Sequence, residues 1–534
     1  MAHDPARAVP AGASIEGART GRRDLLVLAA VAFASAALVR LHVLPLSVVD
    51  WDESIYLLVS RDVLNGKLPY QGGFEHKPAA LYYLFALAQV VFGHGVLAIR
   101  LLGILACGLT AFLLALLVRR HAAADMPTAA AVAVLYAILS TQNGGWATNT
   151  EILLNAYGAA ALALMNGGRL FERVEPRRAL ALGLVFGLML HTNYLAGLPI
   201  AGFGVAYILS SAQRVGIARA VPLCLGNGLL VAAGFCAASA AVLAPIAIWS
   251  DLGDYFGRQI RFLENYSPPI PLPQHAGMVA GAFLPYAALL ALAVARVLFL
   301  LLGRGRGTAA TAGGSLIEMQ ALVYIGAAFI AANASGRLFP HYFIQMLPGL
   351  CVVGGAFLAP LPAAGSLRRL CAVWLVLMAA LSLTLERSQF QARWTAVQAW
   401  LDGRPADLPT AIARDLRGDL RRDDLIYVFR YEPILYYLLD VPLPARYFFW
   451  EHHVRRRYGL NPEAEMTAIL AKSPRFVIAG ADPENEVRFP LGARLLSAAL
   501  KRDYDLVKRY PFGKDGFVRI YERRAASATP TAPR

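Results

Sequence analysis

Residues 96–118 read VLAIRLLGILACGLTAFLLALLV and run directly into Arg119-Arg120. A helix needs roughly 20 mostly apolar residues to cross a hydrocarbon core of roughly 30 Å, so this stretch predicts a membrane-spanning helix. The same texture recurs at about 25–44, 127–143, 150–166, 179–194, 196–210, 221–249, 277–302, 316–333, 342–361 and 370–385, which makes about eleven windows in all. Across the 534 residues, 57% are hydrophobic and 16% charged, and the mean hydropathy is +0.50. A soluble chain does not carry that balance, and the sequence predicts a mostly α polytopic membrane protein.

Short cytoplasmic loops collect Lys and Arg, so the arginines orient the chain. Arg19, Arg22 and Arg23 precede the first window, and Arg119 and Arg120 follow the second. Arg169, Arg173, Arg177 and Arg178 follow the fourth, Arg214 and Arg219 the sixth, Arg304 and Arg306 the eighth, and Arg368 and Arg369 the tenth. This places the amino terminus in the cytoplasm and, with an odd count, the carboxyl terminus outside. Residues 79–92 are apolar but too few to span, and the run Ile55–Val59 is cut short by Arg61-Asp62. Both are expected to be interfacial helices in a first outer loop, 45–95.

The net charge of +15 is accounted for by these loop arginines facing anionic lipid, which argues against nucleic acid as a partner. Cys107, Cys224, Cys236, Cys351 and Cys371 all fall in apolar windows, so no disulfide framework is expected. The first apolar run lacks a small-residue cleavage site and reads as a retained anchor.

The texture changes after Leu385. Residues 386–524 are charged, with strand-like runs at Leu425–Phe429, Phe476–Ala479 and Phe517–Tyr521, and predict an outer soluble α/β domain after a membrane domain of 21–385. Its segment Arg446–Glu451 either meets sugar rings or packs on the membrane domain, and packing is the expectation. The tails, 1–20 and 525–534, have a disordered composition.

Chemistry points to the first outer loop. Asp50, Asp52 and Glu53 surround Trp51, and their oxygens suit either a solvated turn, proton transfer, or a divalent cation such as Mg or Mn held by Asp50 and Asp52. Glu75, His76 and Lys77 lie on the same side of the membrane. Carboxylate plus ammonium is what a phosphate-bearing substrate and an attacking hydroxyl require. Lys77 alone also reads as a lysine snorkelling to lipid phosphate, and Glu151 as an acid complementing a helix amino terminus. Arg337, His341 and Tyr342 suit either a headgroup boundary or a phosphate site, while His191 reads as a hydrogen-bonded interior residue. No Walker loop, Gly-x-Ser-x-Gly elbow or His-Glu-x-x-His pair is present.

Trp51-Asp52-Glu53-Ser54-Ile55-Tyr56, Gly66-Lys67-Leu68-Pro69-Tyr70 and Phe74-Glu75-His76-Lys77-Pro78-Ala79-Ala80-Leu81-Tyr82-Tyr83 occur in that order. Phe92-Gly93, Arg100-Leu101, Thr150-Glu151 and Arg337 with His341-Tyr342 follow them. Together they resemble the GT-C-fold membrane glycosyltransferases, specifically the protein mannosyltransferase and aminoarabinose (lipid A) transferase family. The resemblance covers the membrane half. It implies a sugar donor carried on polyprenyl phosphate and a lipid, glycan or protein acceptor, at the outer face of a bacterial inner membrane. It further implies that Asp52 is the base, supported by Glu53, and that Lys77, Arg337 and His341 hold the donor phosphate. Tyr56, Glu75, Tyr82, Glu151 and Tyr342 would be substrate contacts. Two positions depart from the family pattern, Ala79 for a second proline and Ile55 for an arginine, and the sugar is left open. A transporter or flippase is the rival class, but it would place ionisable groups at the bilayer midplane rather than at one surface.

Overall fold

The structure, a computed structural model, describes residues 20–264, 270–301, 312–334, 336–361, 365–385, 387–421, 423–453, 460–485, 490–513 and 516–524. The tails 1–19 and 525–534 and the basic turn Gly303–Gly307 lie outside the described residues.

Helices dominate the first three quarters of the chain: α1 (Arg22–Arg40), α2 (Trp51–Leu64), α3 (Ala79–Phe92), α4 (Val96–His121), α5 (Met126–Leu139), α6 (Thr150–Asn166) and α7 (Pro176–Leu190). They continue as α8 (Gly197–Val215), α9 (Ile217–Trp249), α10 (Leu252–Glu264), α11 (Leu272–Phe283), α12 (Ala287–Leu301) and α13 (Ala312–Ala334). After a 3-10 turn, Pro340–Met346, come α14 (Leu347–Leu358), α15 (Ser366–Leu385) and α16 (Arg387–Leu401).

Every apolar window of the sequence therefore holds a helix, and among the described residues seven of them are long and apolar enough to cross a membrane by length and composition. Those are Arg22–Val43, Val96–His121, Tyr194–Val215, Ile217–Trp249, Leu272–Leu298, Leu316–Ala334 and Pro340–Leu358. The helices in the remaining windows are shorter or more polar: α5, α6 and α7 have 14, 17 and 15 residues, and α15 opens on Arg368-Arg369. The stretches expected to form short helices are α2 and α3, each of 14 residues.

Close helix approach rests on small residues. A methyl group added at Gly183 of α7 would lie 2.0 Å from the Val231 carbonyl oxygen of α9, and Gly187 one turn on meets Ala238. This small-xxx-small spacing lets α7 lie against the 33-residue α9 backbone to backbone. α4 packs against α1, α5 and α6. The Pro340–Met346 turn is buried from Tyr342 onward, with Asn155 of α6 donating to the Ile344 carbonyl at 3.1 Å. Tyr342 is thereby held in the core, with His341 half-buried beside it.

The last part contains α17 (Leu408–Leu416), β1 (Ile426–Phe429), α18 (Ile434–Leu438), α19 (Pro462–Ala471), β2 (Phe476–Ala479), α20 (Pro490–Asp503), β3 (Tyr504–Phe512) and β4 (Gly516–Arg523). The sheet order is β1-β2-β4-β3. β1 and β2 are parallel, with Ile426 opposite Phe476, and the other pairings are antiparallel. Both β1 and β2 are buried on both faces: Ile426, Val428 and Ile478 face one core and Tyr427, Phe429 and Val477 the other. β1, β2 and β4 coincide with the runs read as strands. β3 was not anticipated, because an edge strand reading YDLVKRYPF is mostly exposed and has no buried stripe to signal it.

This α/β unit is bolted to the first loop. Leu58 of α2 belongs to its core, a side chain whose burial contributes about 2 kcal/mol. Arg61 donates to the Tyr436 and Val441 carbonyls at 2.6 and 3.1 Å, and Tyr437 donates to Gln89 at 2.8 Å. Segment 446–450 packs rather than facing open solvent: Phe74 N–H donates to the Arg446 carbonyl at 2.8 Å, and a side chain at Gly73 would collide with Phe448 at 2.7 Å.

Candidate active site

The start of α2 is built by its own acids. Asp50 caps the helix, accepting the Asp52 N–H at 2.9 Å, while Glu53 Oε1 reaches back to the Val49 and Asp50 N–H groups at 2.9 and 3.4 Å. This capping box fixes Asp52 on the first turn. Glu53 is fully buried; its Oε2 pairs with the Arg100 guanidinium and accepts the Thr148 N–H at 3.0 Å. Arg100 also donates to the Leu46 carbonyl at 3.1 Å. Glu53 thus ties α2 to α4 and to the loop before α6, and places its neighbours without lining either of the two cavities beside it. Tyr56, one turn after Asp52, donates to Asp52 Oδ2 at 3.3 Å.

Asp50, Trp51 and Asp52 open on a cavity of about 990 Å³. Its other walls include His341, Asp407, Tyr431 and Glu432. Burial, then the neighbouring Asp52 charge, pushes the Asp50 carboxyl up to about 6. Burial likewise raises Glu432 to about 7, against a hydrogen bond from Trp51. Asp407 is occupied structurally: Oδ2 accepts the Ser47 N–H and hydroxyl at 2.6 and 2.8 Å, and Oδ1 caps α17 at Thr410.

A second cavity, about 350 Å³, is lined by His76, Lys77, Pro78, Asn193, Tyr194 and Tyr342 among others, with the exposed Glu264 of α10 as its one carboxylate among the described residues. Residues 75–79 are pinned from several sides. The Lys77 N–H donates to Glu75 Oε2 at 2.8 Å, the Tyr70 hydroxyl donates to the Lys77 carbonyl, and the Ala79 N–H donates to Tyr255 at 3.0 Å. A second proline at position 79 would have no N–H for that bond, which gives the departure Ala79 a local reason. His76 stacks on Phe262 with centroids 4.3 Å apart, and its Nδ1 lies 2.5 Å from Glu75 Oε1. Tyr82 donates to Glu75 Oε2 at 2.7 Å. Burial alone would raise the Glu75 carboxyl, but His76, Lys77 and Tyr82 outweigh it and hold Glu75 at about 2.

Two tyrosines lie between Asp52 and Glu75. The Tyr56 and Tyr82 rings meet edge-on at 6.4 Å, one hydroxyl on Asp52 and the other on Glu75. His341 and Tyr342, adjacent in the 3-10 turn, line the acidic and the basic cavity respectively. The structure therefore brings together Asp50, Asp52, Tyr56, Glu75, Lys77, Tyr82, His341 and Tyr342. Glu151, buried in the first turn of α6 and accepting from Thr150 at 3.0 Å, lines neither cavity, and neither does Arg337. Asp50 and Asp52, the two acids expected to hold a cation, both line the larger cavity. No group of three or more His, Cys, Asp or Glu is arranged to hold a metal among the described residues, and Asp50 Oδ1 is engaged by the helix cap. Tyr431 and Glu432 were not singled out in the sequence, and Arg100 carried no hint of pairing with Glu53.

Residues 76–239 match the dolichyl-phosphate-mannose-protein mannosyltransferase family. No curated protein matches the chain by sequence. Among solved structures, ArnT from Cupriavidus metallidurans bound to undecaprenyl phosphate superposes with a TM-score of 0.56 at 17% identity, covering 94% of this chain and 98% of that one. The chain has the GT-C fold. The apo structure of the same ArnT agrees, with a TM-score of 0.56 at 17% identity over 92% of this chain and 97% of that one. The GT-C likeness thus runs through the α/β unit as well as the helices, and the family match begins at His76, beside Lys77.

Proposed function

We propose that this GT-C protein is a membrane glycosyltransferase that moves a sugar from a polyprenyl-phosphate carrier to an acceptor hydroxyl on a lipid, glycan or protein. The observation that carries this reading is the pairing of an acidic cavity at Asp52 with a basic one at Lys77, joined through His341-Tyr342. The acceptor oxygen attacks the anomeric carbon and gives its proton to Asp52, while the bond from that carbon to the phosphate oxygen breaks with inversion. Polyprenyl phosphate leaves with the electron pair. Lys77 faces the departing phosphate, with His76 lining the same cavity; preorganised positive charge is what such a leaving group needs. Glu53 acts through Asp52's position. The pattern of basic loops supports a site on the outer face of a bacterial inner membrane, with the amino terminus in the cytoplasm and the α/β unit outside.

In reconstituted membranes supplied with a synthetic polyprenyl-phosphate sugar, Asp52→Asn is expected to lower transfer by about 10³-fold, and full activity in that variant would remove Asp52 as the base. A transporter would move its substrate across vesicles without releasing free polyprenyl phosphate, so measuring that product separates the two classes.

A further inference from the structure

The acidic cavity has a wall that the proposed chemistry does not use. It is formed by Tyr431 and Glu432, which follow β1, together with Phe512 of β3. Tyr431 is only 2% exposed, stands edge-on to Phe512 at 5.4 Å, and its hydroxyl has no hydrogen-bond partner among the described residues. Glu432 Oε2 is also buried without one. A buried polar group left unpaired costs about 1–3 kcal/mol. Two such groups lining one cavity indicate partners that arrive with a ligand. The cavity lining contains no Lys or Arg among the described residues, and its carboxyl groups, Asp50, Asp52, Asp407 and Glu432, outnumber the single imidazole of His341. An entering phosphate or carboxylate would meet like charge, whereas hydroxyl groups would meet acceptors.

We propose that Tyr431 and Glu432 form the acceptor-recognition wall, and that this wall selects an uncharged, hydroxyl-rich acceptor, a sugar or polyol, over one presenting phosphate or carboxylate. The proposal rests on the transfer reading and narrows its acceptor. In it the α/β unit closes the acceptor cavity over α2 and reads the acceptor.

The test uses the full-length protein in lipid nanodiscs and two soluble probes, methyl β-cellobioside and its phosphate monoester, followed by saturation-transfer NMR. The neutral probe is expected to bind about tenfold more tightly than the phosphorylated one, the scale of one well-placed polar contact. Tyr431→Phe, which removes one oxygen and keeps the ring packing, should weaken the neutral probe about threefold, within the range of a single neutral hydrogen bond. Glu432→Lys should reverse the preference. Equal or tighter binding of the phosphorylated probe to the unmodified protein, or no binding of either, would overturn the proposal. Release of polyprenyl phosphate from a synthetic donor is measured in the same preparation. Selective binding without release would defeat the transfer reading alone, whereas release without selectivity would defeat the wall alone.

Discussion

Glu75 and Glu432 are both largely enclosed glutamates, one beside the basic cavity and one in the acidic cavity, and their environments drive them in opposite directions. Glu75 is held at about 2 because His76, Lys77 and Tyr82 surround it, despite burial. Glu432 is raised to about 7 because burial acts with no cation to oppose it. Burial does not decide ionisation; the charge packed alongside does. The same contrast divides the labour proposed here. A cavity of several carboxyl groups around Asp52 suits taking a proton from a hydroxyl, and a region whose acid is spent orienting His76 and Lys77 suits an anion.

The largest expected effect breaks the acidic side. Asp52→Asn should lower the transfer rate by about 10³-fold, the usual scale for a general base, in single-turnover assays with a synthetic donor. On the basic side, Lys77→Ala should reduce kcat/KM for the donor by about 10²-fold, comparable to losing one preorganised charge-stabilising contact. Lys77→Arg should recover part of it.

Next comes the ion pair that holds the acidic cavity's first wall. Arg100→Leu strands the fully buried Glu53 and should destabilise the protein by about 3 kcal/mol in detergent unfolding. Replacing both partners by apolar residues should restore much of that stability while leaving transfer impaired, since the capping of α2 by Glu53 would still be lost.

The smallest effect is a pH dependence that the two regions share with opposite signs. Asp50 and Glu432 have folded values above their ordinary ones, so the stability they contribute is present below about pH 4 and is lost as pH rises through about 6 to 7. Glu75 lies below its ordinary value, so its contribution is present above about pH 4.5 and is lost as pH falls toward 2. Asp50→Asn should therefore flatten the decline in melting temperature between about pH 4 and 7, and Glu75→Gln should flatten the acid limb.

Much of this was legible in the sequence because the signals are local. Apolar windows predicted where the helices lie, including the shorter α5, α6 and α7. The stretches at Asp52 and Lys77 announced themselves as charge at the edge of apolar runs. Arg100 was not legible as the partner of Glu53, since an arginine in an apolar run reads as a boundary until the fold places α4 behind α2. Tyr431 and Glu432 were hidden for the same reason: they sit in a soluble stretch with ordinary composition, and only docking of the α/β unit onto α2 brings them opposite Asp52. Long-range juxtaposition leaves no periodicity to read.

The division between the cavities is tested most directly by equilibrium binding of undecaprenyl phosphate to the purified protein and to the Lys77→Ala and Asp52→Asn variants. Lys77→Ala is expected to weaken binding about tenfold or more while Asp52→Asn leaves it unchanged. Unchanged binding in Lys77→Ala together with a loss in Asp52→Asn would contradict that division.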